Sequence, residues 1–165
     1  MQNRIYLRPE LYDLSQGSRI KFIRVFRHLT QDNISKNLGI TGENKRRTLT
    51  RYEMGNRVPK DDRLLEIADI LNVDIDAIRE YNFKNPIDII YILIWLEELY
   101  PNVKVELPIT NYNKNNEILG NFIIEWNLMR EKRRNRKITY KQYFEWKINC
   151  SKSMEGVVNE RSNKN

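Results

Sequence analysis

Residues 29–72 decide the fold of the first half of the chain, and they read LTQDNISKNLGITGENKRRTLTRYEMGNRVPKDDRLLEIADILN. Thr30 can cap a short helix, because its hydroxyl can accept a hydrogen bond from an N–H of the first turn. Ile34 and Leu38 are four residues apart and therefore share one helix face. Gly39 can adopt the left-handed conformation that ends a helix, and a second helix follows. Two short helices joined through a glycine turn form a helix-turn-helix.

Four phrases of this stretch, taken in order, indicate the family that it resembles. They are LTQ at 29–31, NLGI at 37–40, TLTRYEMGNRVP at 48–59 and LLEIADILNV at 64–73. Together they resemble the helix-turn-helix transcriptional regulators of the XRE, Cro and C1 type, the phage lambda repressor-like family. The resemblance covers roughly residues 15 to 80 and implies a lambda-repressor-like DNA-binding domain of five helices. It also implies a bacterial regulator of the repressor kind that binds an inverted-repeat operator as a dimer.

The recognition helix proper is predicted over residues 46–54. Leu49 and Tyr52 are three residues apart, so both should face the core. The other side chains then point toward solvent or DNA, where arginine can hold guanine O6 and N7 with two hydrogen bonds or fork onto a phosphate. Threonine can donate to phosphate or pack its methyl group on thymine. Glu53 is expected to hold the helix end, because phosphate would repel its carboxylate.

The resemblance also implies contacts with the DNA backbone. In the family, the glutamine at the position of Gln31 touches the backbone and can brace a side chain of the recognition helix. The turn after that helix follows the backbone as well, and Asn56 and Arg57 lie in this turn. The complete set of predicted DNA contacts is Thr30, Gln31, Lys45, Arg46, Arg47, Thr48, Thr50, Arg51, Asn56 and Arg57.

One segment, residues 42–45, departs from the family pattern. Between the NLGI phrase and the glycine after RYE, the chain has about four residues more than typical members, close to one helical turn. Either Thr41 caps a recognition helix lengthened at its N-terminal end, or the segment forms a longer turn and the helix starts near Arg46. Gly42 favours the turn, whereas Glu43 in a first turn would suit the helix.

Three further helices complete the predicted domain. The first runs over residues 15–28 and is capped by one of its serines. The fourth opens at Asp61 or Asp62, acids that suit a helix N-terminus, and the fifth follows Asp74, whose side chain can cap it. The surface of the first helix is expected to carry four basic residues: Arg19, Lys21, Arg24 and Arg27.

Charge is distributed unevenly along the chain. The net charge is +7, and residues 1–60 carry 13 Lys and Arg against 5 Asp and Glu. Residues 61–100 carry 3 basic and 10 acidic side chains, and residues 101–165 carry 13 and 7. The basic first block contains the helix-turn-helix, which is the arrangement that phosphate binding requires. A basic surface that is merely solvated is the alternative.

Other classes of protein have little support in the sequence. The one cysteine, Cys150, forms no intrachain disulfide, which fits a reducing cytoplasm. The chain lacks CxxC pairs, histidine clusters and Gly-rich phosphate loops, so the sequence predicts no metal, no cofactor and no enzyme. No signal peptide is expected, and the most apolar run, residues 87–96, is too short to span a membrane.

The second half is predicted to be mostly helical. A helix over residues 87–100 is apolar nearly all round, which is typical of a buried element. It can form the core of a C-terminal region, a dimer interface through Ile90, Ile94 and Trp95, or both. Residues 104–109 alternate as a short edge strand would. Amphipathic helices are predicted over 117–134 and 140–149, the latter capped by Thr139.

These patterns predict an all-α protein, apart from the one short strand, in four parts. They are an N-terminal arm at 1–14, the DNA-binding domain at 15–82, a helical region at 86–150 for dimerisation or partner binding, and a frayed tail at 151–165. The basic run 130–137 can be a second DNA contact or a solvated helix end. An alternative function is an antitoxin that binds a protein partner through its second half and autoregulates through its first. Copurification of a partner at fixed stoichiometry would separate this alternative from a regulator.

Overall fold

The computed structural model of the chain describes residues 8–42, 45–103 and 117–151, without the side chains of Lys45 and Glu117. Its helices are α1 (Gln16–Phe26), α2 (Gln31–Asn37), α3 (Lys45–Glu53), α4 (Asp61–Leu71), α5 (Pro86–Leu99), α6 (Glu117–Arg134) and α7 (Tyr140–Ile148), with a 3-10 turn at Ile75–Ala77. The predicted mainly helical class is confirmed. The strand predicted at 104–109 lies outside the described residues, as do residues 1–7 of the arm and 152–165 of the tail.

The chain divides between Glu80 and Tyr81 into two compact units, called unit 1 and unit 2 below. Unit 1 contains α1 to α4 and the 3-10 turn, and unit 2 contains α5 to α7. None of the helices in the described ranges is long and apolar enough to cross a membrane.

Polar side chains cap α1 and α2 where the sequence predicts them. The Ser15 hydroxyl accepts from the N–H of Ser18 at 3.3 Å and begins α1. The Thr30 hydroxyl accepts from the N–H of Asn33 at 3.0 Å, and the Asn33 side chain accepts in return from the N–H of Thr30 at 2.8 Å. Such reciprocal bonds satisfy N–H groups that have no partner within the helix, so the start of α2 is well defined.

The core of unit 1 is formed by aliphatic side chains from every helix. Leu49 and Tyr52 face it as predicted, with 0% and 6% of their surface exposed. Leu11, from the segment predicted to be an arm, is also buried, and the ammonium of Lys21 lies 4.8 Å from the ring centroid of Tyr12. The fully buried aliphatic residues of the unit are Ile20, Ile23, Ile34, Leu49, Ile67, Leu71, Ala77 and Ile78.

Gly17 brings α1 into direct contact with the backbone of α3. A Cβ atom at this position would lie 2.4 Å from the carbonyl oxygen of Tyr52 and 2.6 Å from that of Glu53. Only a hydrogen fits in such a gap, so this glycine sets the distance between the two helices.

Two predictions for unit 1 are wrong. The fifth helix is a single 3-10 turn, and the side chain of Asp74 makes no cap bond to it. Arg19 is not on the surface, because only 2% of it is exposed and its guanidinium donates to the carbonyls of Ala77 at 3.3 Å and Arg79 at 2.8 Å. Arg27 likewise donates to backbone carbonyls at the end of α4. Both arginines therefore connect α1 by hydrogen bonds to backbone carbonyls between the end of α4 and Arg79, shortly after the 3-10 turn.

The three helices of unit 2 enclose an aromatic core. Trp95 from α5 packs edge-on against Phe144 from α7, with ring centroids 6.0 Å apart. Phe122 and Trp126 from α6 stack at 5.4 Å. All four side chains are at most 1% exposed.

This packing corrects the predicted dimer interface. Ile90, Ile94 and Trp95 are each 0% exposed within a single chain, so they belong to the core of unit 2 and present no surface to a second copy. The apolar pattern of α5 arises because α6 and α7 both pack against it, so these three side chains belong to the core that the sequence offered as one interpretation of this helix.

A buried polar network joins the same three helices. The ammonium of Lys147 is 0% exposed and donates to the carboxylates of Glu97 and Glu98, each at 2.5 Å. The phenol of Tyr143 donates to Glu97 at 2.8 Å and accepts from the indole N–H of Trp126 at 2.8 Å. Burial, together with the negative charge of Glu97, raises the pKa of Tyr143 well above its ordinary value, so the phenol remains a donor.

Candidate nucleic-acid interface

The turn between α2 and α3 begins with a glycine in the left-handed conformation. Gly39 has φ of +67°, and its N–H donates to the carbonyl of Lys36 at 3.0 Å. The N–H of Ile40 donates to the carbonyl of Ser35 at 3.0 Å. This pair of bonds is a Schellman motif, which closes the end of a helix and reverses the chain direction. The predicted role of Gly39 is confirmed.

The segment after this turn is not a continuation of the recognition helix. Thr41 and Gly42 lie outside any helix, Gly42 has φ of +87°, and α3 begins at Lys45. Residues 43 and 44 lie outside the described part of the chain. Of the two alternatives that the sequence leaves open, the left-handed conformation of Gly42 favours the longer turn, because a helix capped by Thr41 would need Gly42 in a helical conformation.

The carboxylate of Glu53, at the end of α3, is bonded to two other helices. Arg24 of α1 binds it with two hydrogen bonds, Nε to Oε1 at 2.5 Å and Nη2 to Oε2 at 3.0 Å. The amide nitrogen of Gln31, the first residue of α2, donates to Oε2 at 2.8 Å. The Glu53 side chain is 3% exposed, so its charge is neutralised inside the unit and is not presented to an anionic ligand.

Gln31 is also bonded to the recognition helix through its carbonyl oxygen. The hydroxyl of Thr50 lies 3.1 Å from this oxygen and 3.0 Å from the carbonyl oxygen of Arg46. A threonine hydroxyl has a single proton, so it can donate to either acceptor. One side chain of α2 therefore contacts α3 at two positions one turn apart, and this fixes the rotation of α3 about its axis.

The outer face of α3 is basic and open. Arg47 and Arg51 are four residues apart, so they lie on the same side, and both are exposed. Together with three neighbours they line a shallow depression of about 630 Å³. The residues around it are Arg46, Arg47, Thr50, Arg51 and Asn56. In the described part of the chain, α3 carries no acidic residue on this face, because its one carboxylate is held by Arg24.

Comparison with known protein families supports the assignment of this region. Residues 17–79, which span α1 to just beyond the 3-10 turn, match the family described as helix-turn-helix domain. Unit 1 is a helix-turn-helix domain of the XRE and Cro/C1-like kind. The chain matches no curated protein and no solved structure.

Most of the predicted contact residues of this helix-turn-helix domain lie together. Five of them line the depression described above, and Gln31 is bonded to Thr50 at its edge. Arg57 is exposed on the following turn, where its N–H donates to the carbonyl of Arg51 at 3.1 Å and its guanidinium carbon lies 5.9 Å from the ring centroid of Tyr52. The first turn of α2, the outer face of α3 and the turn after it therefore form one surface.

Three predicted residues are placed differently. The Thr30 side chain is engaged in the cap of α2 with Asn33, and its hydroxyl donates to Asn33 Oδ1 at 2.6 Å. Thr48 is half-buried at the flank of α3. Lys45 begins α3, and its side chain lies outside the described part of the chain.

Sequence reasoning missed the residue that neutralises Glu53. Arg24 was expected on the surface of α1, yet it pairs with Glu53 and also donates to the carbonyl of Leu29 at 2.9 Å. A signal was available, because Glu53 follows Leu49 by four residues and so lies on the core side of α3. A carboxylate on a core face needs a cationic partner.

Proposed function

We propose that this protein is a sequence-specific transcriptional regulator of the repressor kind that acts in the bacterial cytoplasm and catalyses no reaction. The observation that carries the proposal is the outer face of α3, where arginines are exposed on a helix fixed by Gln31 and Glu53. A helix of this kind enters the major groove in helix-turn-helix domains, while the preceding helix crosses the backbone.

The side chains at this surface divide into two roles. Arg46, Arg47 and Arg51 lie on the helix that enters the groove, and a bidentate arginine distinguishes guanine from the other bases. Gln31 and Arg57 lie at the edges of the surface, next to the path of the backbone. Contacts with phosphate position a protein on DNA but carry no sequence information.

We further propose that two copies bind an inverted repeat with half-sites one helical turn apart. A single helix-turn-helix domain contacts a short half-site, and linking two domains makes the second contact intramolecular, which raises the avidity. The surface that joins the copies is not formed by Ile90, Ile94 or Trp95, which are buried in unit 2. Sedimentation of the chain bound to the selected duplex tests this part, and one chain per inverted repeat would refute it.

A selection of bound duplexes from a random pool tests the proposed function. Wild-type protein should enrich one sequence. Arg47→Gln should relax the preference at one base pair, at a cost of about 1–3 kcal/mol for that position.

The matched control is Arg57→Gln, which removes the same charge from an exposed position ten residues later, on the turn after α3. It should weaken binding to all duplexes alike and leave the enriched sequence unchanged. If wild-type protein enriches no sequence, the proposed function is wrong. If Arg47→Gln lowers affinity uniformly, Arg47 holds phosphate and another residue reads the bases.

A further inference from the structure

Unit 2 carries a dense positive segment that the helix-turn-helix does not use. Residues 132–141, called the basic turn below, read KRRNRKITYK and contain six lysines and arginines and no acidic residue. The segment comprises the last turn of α6, the connection to α7 and the first turn of α7.

The connection is a compact, hydrogen-bonded structure. The N–H of Arg136 donates to the carbonyl of Arg133 at 3.1 Å, and the N–H of Lys137 donates to the carbonyl of Lys132 at 2.9 Å. These two bonds form a Schellman motif with Arg136 in the left-handed position, at φ of +57°. Thr139 then caps α7 by accepting from the N–H of Gln142 at 3.2 Å. The basic side chains are therefore presented on a defined backbone.

The charges of the basic turn are exposed and uncompensated. Arg133, Arg134, Arg136, Lys137 and Lys141 are all exposed, and Lys132 is half-buried. Arg130, just before the segment, turns inward to Glu97 at 3.3 Å and to the ring of Trp126. Within the described ranges, by contrast, none of the six cations of the turn pairs with a carboxylate.

Folding alone does not account for this pattern. Cations in the last turn of a helix interact favourably with the partial negative charge of its C-terminus, which accounts for Lys132, Arg133 and Arg134 in α6. Lys141 lies in the first turn of α7, where a positive charge is unfavourable. Arg136 occupies a left-handed position at which glycine is the residue that folding prefers. At least two of the six charges thus sit where they oppose the stability of the unit.

We propose that the basic turn is a second phosphate-binding surface, which contacts duplex DNA beside the site bound by the helix-turn-helix. This inference rests on the proposed function. Its ligand is the regular double-stranded backbone and not a single strand, because single-strand binding uses exposed aromatic rings for stacking. The one aromatic residue of the segment, Tyr140, is turned inward, with its ring on Phe144 and its hydroxyl on Glu98 at 2.9 Å.

Salt dependence of DNA binding by the full chain tests the proposal. A triple variant, Arg134→Gln with Arg136→Gly and Lys137→Gln, is compared with wild type on the selected duplex with long flanks. Each lost phosphate contact lowers the slope of log K against log salt by about 0.9, so the triple variant should lose up to about 2.7. The enriched base sequence should not change, because phosphate contacts do not specify.

Arg136 offers a control for folding. Arg136→Gly removes the charge and relieves the left-handed backbone, so its melting temperature should equal or exceed that of wild type while its salt slope falls. Arg136→Lys keeps the charge and should keep the slope. Weaker binding by a glycine variant that is at least as stable as wild type supports the proposal, since misfolding cannot cause it.

The length of the duplex provides an independent readout. Wild-type protein should gain affinity when about ten base pairs, one helical turn, are added to each flank, and the triple variant should not. A triple variant that binds with wild-type slope and the same flank gain overturns this inference and leaves the proposed function standing. Wild-type protein that enriches no duplex overturns both. A triple variant that keeps wild-type binding to duplex DNA but loses binding to RNA or to anionic vesicles also overturns the inference about the basic turn.

Discussion

Replacing Gly17 with alanine tests whether the contact between α1 and α3 sets the position of the recognition helix. The new Cβ would lie 2.4 Å from the carbonyl oxygen of Tyr52, against an ordinary contact distance of 3.4 Å, so the two helices must separate by about 1.0 Å. The obstructing atoms belong to the backbone of α3, and no side-chain rotation can relieve the overlap.

Two opposing terms set the size of the effect. Overpacking of a core costs about 1–3 kcal/mol, and a clash with backbone belongs at the upper end. Alanine gains at most about 1 kcal/mol over glycine from helix propensity. The net loss should be about 2 kcal/mol, which lowers the melting temperature of a unit of this size by about 8–16 °C.

Thermal unfolding followed by far-UV circular dichroism measures the loss, and affinity for the selected duplex measures the shift of α3. Gly39→Ala is the matched control, because its Cβ would meet no atom within 4 Å and only its φ of +67° is strained. Gly39→Asn should lower the melting temperature less than Gly39→Ala does, since asparagine tolerates this conformation. At position 17, by contrast, asparagine should lower the melting temperature more than alanine does. A Gly17→Ala protein that melts at or above the wild-type temperature would refute the reasoning.

Three further predictions concern buried residues of unit 2 and the Gln31 side chain of unit 1. Ile94→Glu should unfold unit 2, because a carboxylate without a partner is costly in an apolar core. A shift of tryptophan fluorescence to longer wavelength would report the unfolding, since all three tryptophans lie in that unit. A folded protein of altered oligomeric state would contradict this prediction. Lys147→Met should destabilise unit 2 by about 3–5 kcal/mol in denaturant titrations, since it leaves Glu98 buried without its cation; a loss below about 1 kcal/mol would contradict it. Gln31→Ala should weaken binding to every duplex without changing the salt slope, because no charge is lost, and a changed base preference would count against a positioning role.

Local features of the fold could be predicted because their causes are local. Thr30 and Thr139 cap helices through bonds to residues three positions away, and Gly39 ends α2 through its own backbone conformation. Leu49 and Tyr52 reveal the core face of α3 by their spacing alone. A pattern of this kind depends on the order of neighbouring residues, and the sequence displays that order directly.

Features that depend on distant partners could not be predicted. The pattern of α5 shows that Ile94 is buried, but not whether another helix of the same chain or a second copy covers it. Lys147 appears in an amphipathic segment as an ordinary surface lysine, and its burial becomes apparent only when Glu97 and Glu98 are placed beside it. The same holds for Arg19, whose acceptors are backbone carbonyls about 60 residues away.

The separation of bonded and open side chains on α3 has a consequence for how such a protein diversifies. Glu53 and Thr50 are held by other helices, so their replacement would disturb the framework. Arg47 and Arg51 project outward into the depression, and within the described residues their side chains make no hydrogen bond or ion pair that holds the framework together. Exchanges at these two positions should leave folding intact while altering the DNA sequence that is bound. Under the proposed function, single substitutions at these positions would therefore change the operator without first requiring stabilising changes elsewhere.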